Sequence, residues 1–404
     1  MTQCLIGDFR IRRPAHSAGH EASVRWLSAA HAKSETVLRA GAPDFDPAAF
    51  RRSMERYITR FGCGPESLSA RGHDLEDFLH TDWERMGVFN LVRDARGAGM
   101  DVRMEVFAGI AERVLAGFYP EGDEAPDELI HVTCTGYVAP SAAQKLVVDR
   151  GWQQTTGVMH AYHMGCYAAM PALRMASAFL ASPRNRGADK REGRQGQAGR
   201  RVDIVHTEAC TLHLDPSQHS PEQLVVQGLF ADGHIRYSLT MDGNSQDGTG
   251  RDRKSRGLHF LGVHEELIPG SLGAMGWILG DRGMRMMLAR EVPELIAASL
   301  RDFLKRMFAA TGVEAAEAFS SGVFAIHPGG PRIIDKVAAL LELGPNQVAA
   351  SRAVLKACGN MSSATLPHVW AAMLDDPDVT SGTLITSLAF GPGLTVYGAV
   401  LRKA

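Results

Sequence analysis

The sequence lacks any CxxC pair. Its six cysteines, Cys4, Cys63, Cys134, Cys166, Cys210 and Cys358, are scattered over 404 residues. That excludes a zinc ribbon or a thioredoxin-type site. No window approaches the roughly 18 apolar residues needed to span a bilayer. The opening MTQCLIGDFRIRRPAHSAGH has no unbroken apolar stretch of about 7–15 residues and no small-residue cleavage site, so no secretory signal is read there. The expectation is a cytoplasmic protein with free thiols. Excess charge is missing too: Lys plus Arg is 43, Asp plus Glu is 45, and the formal net charge is −2. The chain as a whole has no general attraction for nucleic acid or for an acidic membrane surface. No tandem repeat of about 20–50 residues occurs.

What is present is a globular composition, 45% hydrophobic and 22% charged, which suffices for a normal core. At roughly 100–200 residues per domain, the length suggests two to three structural units. Strand-like and helix-like segments alternate, which indicates an α/β architecture. The first 125 residues read as mainly helical, with amphipathic stretches at 76–88 and 104–118. ELIHVTCTGYV (128–138) reads as a strand with Ile130, Val132 and Cys134 on one face. Residues 166–182, rich in Ala, Met and Leu, suit a buried helix, and Pro171 lies in its first turns. Further strands are read at 202–206 and 323–326, a helix at 332–343, and a terminal hairpin from 383–389 and 394–401 about Gly391-Pro392-Gly393. Residues 183–201 hold seven basic and two acidic side chains with many glycines. They read as an exposed loop, either a plain solvated insertion or a docking surface for an acyl carrier. Residues 244–257 read as a similar polar hairpin tip.

Three segments combine a reactive residue with unusual local chemistry. In MGCYAAM, Cys166 follows a glycine at the start of an apolar helix, where unpaired N–H groups and the helix dipole favour a thiolate. In FAIHPGGP, His327 ends a strand and meets a rigid turn; strand ends are where α/β folds present functional groups. In CGNMSSA, Asn360 sits at a helix start with its amide at the mouth. Each segment alone also fits a buried cysteine, a histidine before a turn, or an Asn cap. Together they give Cys, His and Asn in chain order. Papain-like hydrolysis uses such a trio, and so does decarboxylative carbon–carbon bond formation on acyl thioesters.

The segments GCYAAMPALRMA, FAIHPGGPRIID, GNMSSATLP and FGPGLTVYGAVL resemble, in order and spacing, the chalcone synthase-like type III polyketide synthases. The likeness runs from about residue 128 to the end. Ala389 stands where the family signature has its first glycine. Papain-like enzymes give no reason for HPGGP or GPGLT. The resemblance implies an α/β fold of the thiolase type, with two duplicated halves in a five-layered αβαβα core. The halves are expected over residues 1–235, with the cysteine, and 236–404, with His and Asn. It also implies a homodimer, and acyltransfer from coenzyme A thioesters with neither a metal nor a redox cofactor.

By the same resemblance, Cys166 is the nucleophile and His327 and Asn360 complete the triad. His327 keeps the thiolate ionised, and His327 and Asn360 donate to the thioester oxygen of malonyl-CoA. Phe230, in GLFADG, takes the place of a gatekeeping phenylalanine, and Met286 that of a second, which suggests a wider passage. Cys134, His213 and Trp277 fall on cavity positions, and Cys134, Glu208 and Ser362 on a water-holding network. Arg56 and Arg60 fall in the region that binds the phosphates of coenzyme A. The likeness is nearest to bacterial synthases of alkylresorcinols and alkylpyrones from long-chain acyl-CoA, on the cues VTCTGYVAPS, VHTEACTLHL and MGWILGDRGMRMML. Trp277 would fold the polyketide for aldol closure to a resorcinol. Starter acyl groups come as acyl-CoA or from an acyl carrier or fatty acid synthase. The alternative within the fold is a β-ketoacyl-carrier-protein synthase III–like enzyme making a single extension.

Overall fold

The computed structural model describes residues 4–40, 42–182, 200–241 and 256–404. The polar stretches at 183–201 and 244–257 lie outside the described residues, save 200–201 and 256–257. The strands of the first half are β1 (Cys4–Arg12), β2 (His16–Gly19), β3 (Ala70–His73), β4 (Glu128–Thr133), β5 (Gly157–Tyr162), β6 (Arg201–Ala209) and β7 (Asp232–Met241). Those of the second are β8 (Leu258–Leu267), β9 (Met275–Gly280), β10 (Gly283–Leu288), β11 (Val323–Ile326), β12 (Leu384–Gly391) and β13 (Thr395–Lys403). The earlier helices are α1 (His20–Leu38), α2 (Pro47–Phe61), α3 (Met100–Phe118), α4 (Ala142–Asp149), α5 (Ala169–Ala181) and α6 (Pro221–Leu229). The later ones are α7 (Val292–Thr311), α8 (Ala315–Ser320), α9 (Pro331–Leu341), α10 (Ala349–Cys358) and α11 (Thr365–Asp375).

A nine-stranded sheet runs β11-β12-β13-β8-β1-β7-β6-β4-β5. Its outer pairs are parallel, β11 with β12 and β4 with β5 and β6, while the strands between are antiparallel. Alternate side chains of a strand face opposite sides, and both sides are buried here. In β6, Ile204 joins a core with α5 and α11, while Val205 joins one with α3 and α4. In β12, Ile385 faces α5 and α11, while Leu384 and Leu388 face α7 and α9. The helices α5 and α11 thus pack against both wings of the sheet. They are apolar on nearly all sides, as central helices must be. The outcome is the five-layered α/β arrangement expected from the resemblance. The expected division at residue 235 falls inside β7, which pairs with β6 and with β1.

The strand at 323–326, the helix after HPGGP and the terminal hairpin stand where the sequence places them. The first 125 residues are mainly helical in their regular elements, with 104–118 inside α3, although β1 also joins the central sheet between β7 and β8. Two expectations need correction. Residues 76–88 form one short turn at Glu76–Leu79 instead of a helix. There the Asp77 carboxylate accepts the N–H groups of Gly87, Val88 and Phe89 at 2.7–3.1 Å, which folds the segment back on itself. Strand β4 stops at Thr133, so Cys134 lies in the loop beyond it.

Candidate active site

Parallel strands present their C-terminal ends on the same side, and the loops there carry the expected residues. Cys134 follows β4, Cys166 lies four residues beyond β5, and Glu208 stands near the end of β6. In the other wing His327 is the first residue after β11, which runs parallel to β12. The Gly391-Pro392-Gly393 turn after β12 packs on the cysteine loop. A Cβ on Gly165 would lie 2.5 Å from Pro392 Cδ, and one on Gly391 2.5 Å from Tyr167 Cδ1. Gly165 also has φ +84°, a conformation that favours glycine. The GPG turn and the GC turn therefore require each other's glycines.

Cys166 is buried and precedes the first residue of α5 by three positions. The sequence places it at the helix start with a depressed pKa; the fold does otherwise. Burial, with the Glu208 charge behind it, pushes the thiol up to about 12, against the Ser362 hydroxyl and the Asn360 amide that hold it down. His327 is 2% exposed and neither ring nitrogen has a hydrogen-bond partner among the described residues. Burial lowers its pKa to about 3. Burial thus favours the uncharged form of each group taken alone. A proton passing from Cys166 to an imidazole creates two charges that offset each other, which neither buried group could bear alone.

Asn360 is held from both sides. Its N–H donates to Leu229 O at 3.0 Å and its carbonyl accepts from Ala231 N–H at 2.9 Å, which ties it alongside Phe230. Its Oδ1 accepts from Ser362 N–H at 2.9 Å. With that oxygen engaged, the amide NH2 is left for Cys166. Ser362 is held at φ +49°, a costly conformation for a serine.

Glu208 is fully buried and raised by that burial, against hydrogen bonds from Ser363, Cys134 and Thr135 that hold it down. It accepts from Cys134 N–H at 3.0 Å, Thr135 Oγ1 at 2.8 Å, Thr133 Oγ1 at 3.4 Å, Ser363 N–H at 3.3 Å and, closely, Ser363 Oγ. The expected Cys134–Glu208–Ser362 network is therefore rebuilt. Cys134 gives only its backbone N–H, its thiol turns to Gly165, and Ser362 turns to Cys166. The hydroxyls come from Thr135 and Ser363, each one residue beyond the expected position. Ser363 donates to Glu208, so it accepts from His206 Nδ1–H at 2.9 Å, and His206 Nε2 in turn meets Tyr237 Oη at 3.1 Å. Thr135, Ser363 and His206 were missed in the sequence. The threonine in TCTG and the second serine in GNMSS were the available signals.

His213, Phe230, Trp277 and Met286 line one narrow cleft with Met284 and Gln223. Four residues picked out separately in the sequence are thus brought together. Arg71, also missed, is buried behind them and donates to the carbonyls of Gln227 and Phe230 at 2.7 and 3.1 Å. Arg56 and Arg60 lie exposed on α2, Arg56 on Ser53 and Arg60 over the Phe61 ring, and neither lines the cleft. Among the described residues no group of His, Cys, Asp or Glu could hold a metal ion, and no helix is long and apolar enough to cross a membrane.

Residues 260–404 match the family of chalcone and stilbene synthases, C-terminal domain. Type III polyketide synthase A of Arabidopsis thaliana is 25% identical over 282 residues, covering 68% of this chain and 65% of that relative's own length. Among solved structures, PKS-I of the brown alga Ectocarpus siliculosus superposes with a TM-score of 0.78 at 19% identity, over 100% of this chain and 99% of that one. The C-terminal type III polyketide synthase domain of Steely1, a type I/III hybrid from Dictyostelium, gives 0.77 at 21%, over 99% of each. The 1,3,6,8-tetrahydroxynaphthalene synthase of Streptomyces coelicolor A3(2) gives 0.70 at 22%, over 100% and 99%. At these identities the superpositions establish the fold.

Proposed function

From a chain that carries the chalcone and stilbene synthase C-terminal domain on the fold of the type III polyketide synthases, we propose an acyltransferase of that type. It loads an acyl group from coenzyme A onto Cys166, extends it with malonyl-CoA by repeated decarboxylative condensation, and closes the chain to an alkylresorcinol or alkylpyrone. One observation carries this reading. A buried thiol faces the Asn360 amide and Ser362 hydroxyl, and the fold that holds it presents a buried imidazole, His327, with both ring nitrogens unused.

The chemistry follows from those groups. As an acyl thioester arrives, neutral His327 takes the thiol proton and Cys166 attacks the carbonyl. Coenzyme A leaves with the proton. Malonyl-CoA then occupies the site, and His327 N–H and the Asn360 amide donate to its thioester oxygen. Carbon dioxide departs and the electron pair is held as an enolate on that oxygen. The enolate carbon attacks the Cys166 thioester, the carbon–carbon bond forms as the carbon–sulfur bond breaks, and Cys166 leaves as a thiolate that takes the lengthened chain back from coenzyme A for the next round. Each such donor is worth on the order of 3–4 kcal/mol in the transition state. Phe230, packed beside Asn360, keeps water from the enolate.

The product assignment rests on the cleft. Trp277 and Phe230 wall it with rings, while Met286 supplies a flexible side that must move for a long fatty chain to enter. Glu208 with Thr135 and Ser363 supplies the carboxylate and hydroxyls that hold a water for thioester release before aldol closure. A homodimer in the cytoplasm, fed with acyl-CoA or by an acyl carrier, belongs to the same proposal. The test is incubation with acyl-CoAs of several chain lengths plus malonyl-CoA, with products identified by mass. Several extensions and a cyclised product are expected. A single extension would favour the synthase III–like alternative, and no condensation at all would contradict the assignment.

A further inference from the structure

A second set of contacts reaches the nucleophile from outside the triad. The Trp277 indole N–H donates to the carbonyl of Cys134 at 2.7 Å. His163 Nε2–H donates to the Trp277 carbonyl at 2.8 Å. His213 Nε2–H donates to the Thr135 carbonyl at 2.8 Å, which leaves its Nδ1 to accept Met284 N–H at 3.2 Å, and its ring stands edge-on to Trp277. Three side chains thus join the β9–β10 hairpin to the loops after β4 and β5. From Cys134 the path runs on. Its sulfur accepts Gly165 N–H at 3.1 Å and lies 3.4 Å from Gly165 O, so it grips both ends of the left-handed residue before Cys166. The Ser362 hydroxyl faces both thiols. Trp277 remains only partly buried, so core packing alone does not account for its fixed orientation.

We propose that Trp277 and Cys134 are positioning residues: the indole N–H and the second thiol form a strap that fixes the Gly165 turn and so aims the Cys166 sulfur at the Asn360 and Ser362 donors. This rests on Cys166 being the nucleophile. It gives Trp277 a role beyond filling the cleft, and it ties the wall contacted by a growing chain to the group that carries that chain.

The test reads the thiol directly and uses no coenzyme A substrate. The rate of alkylation of Cys166 by iodoacetamide, located by peptide mass, is followed in brief pH jumps up to about pH 12 in the full chain. Trp277→Phe keeps the ring and loses the N–H, while Cys134→Ala loses the thiol. Each should slow alkylation about ten-fold, the scale of one orphaned buried hydrogen-bonding group. Each should also move the midpoint of the pH profile upward, because the sulfur drifts from donors that hold its pKa down. Cys134→Ser, which can still meet Gly165, should restore both. If Cys134→Ala fails to fold, the partly exposed Trp277 position decides alone. Parental rate and midpoint in Trp277→Phe, or lowered stability with an unmoved midpoint, would overturn the strap. Loss of acyl transfer in a parent chain that alkylates normally would instead sink the proposed function and leave the strap standing.

Discussion

Glu208 shows how much one side chain can hold at this site. It collects five donors from two segments, Thr133 to Thr135 at the end of β4 and Ser363 in the turn after Asn360. Glu208→Ala orphans those buried donors at once, and the expected loss of stability is on the order of 3–5 kcal/mol. It should appear as a large fall in the urea midpoint; a change under about 1 kcal/mol would show that water replaces the carboxylate. Trp277→Gly should change the ratio of resorcinol to pyrone in the products, because it removes both a wall and an indole donor. An unchanged ratio would end the role of this wall in ring closure. At this scale the sequence singled out Cys166, His327 and Asn360, and the fold sets Asn360 beside Cys166. The sequence was least legible where neighbours can exchange a hydroxyl. Thr135 and Ser363 each lie one residue from the expected partner, and only the direction of the backbone decides which of two adjacent side chains faces a carboxylate.

Among elements, the loop from Tyr162 to Ala169 and the turn after β12 behave as one unit, because each meets the other through a glycine. Gly165→Ala puts a methyl against Pro392 and a side chain into a left-handed conformation, which costs about 1–2 kcal/mol before the clash is counted. Acyl loading should fall by at least about ten-fold with the fold retained, as the sulfur is displaced from its donors. Normal loading kinetics would show that the turn is not what aims Cys166. The apolar runs of β11, β12 and β13 were legible because both faces of each strand are buried and the runs end in Gly and Pro. The stretch 76–88 misled, since its helical spacing cannot reveal that Asp77 captures three backbone N–H groups ten to twelve residues on. Strand β1 was missed although Asp8, Arg10 and Arg12 alternate with Phe9 and Ile11, which is the period of a strand and was the available signal.

In the molecule as a whole, burial governs the response to pH. His31, His131, His213 and His327 are lowered to about 3 and His368 to about 4, each first by burial. They stay neutral when folded and take up protons on unfolding below about pH 6.5. Stability therefore falls as pH drops through that value, by on the order of 1.4 kcal/mol per histidine per pH unit. Asp232, pushed up to about 7 by burial and by Asp74, acts in the opposite sense, and so does raised Glu208. With His73, His160 and His206, also lowered by burial, eight histidines outweigh three raised carboxyls, Glu128 being the third, so the urea midpoint should decline steeply between about pH 6.5 and 5. A level midpoint there would mean that these histidines reach water. The central claim, however, is covalent transfer to one sulfur of six, and it is tested most directly by intact-protein mass after exposure to a long-chain acyl-CoA without malonyl-CoA. The account predicts one added acyl group per chain, mapped to Cys166 and absent from Cys166→Ala. An acyl adduct that persists in Cys166→Ala, or that maps to Cys134 or another cysteine, would contradict it.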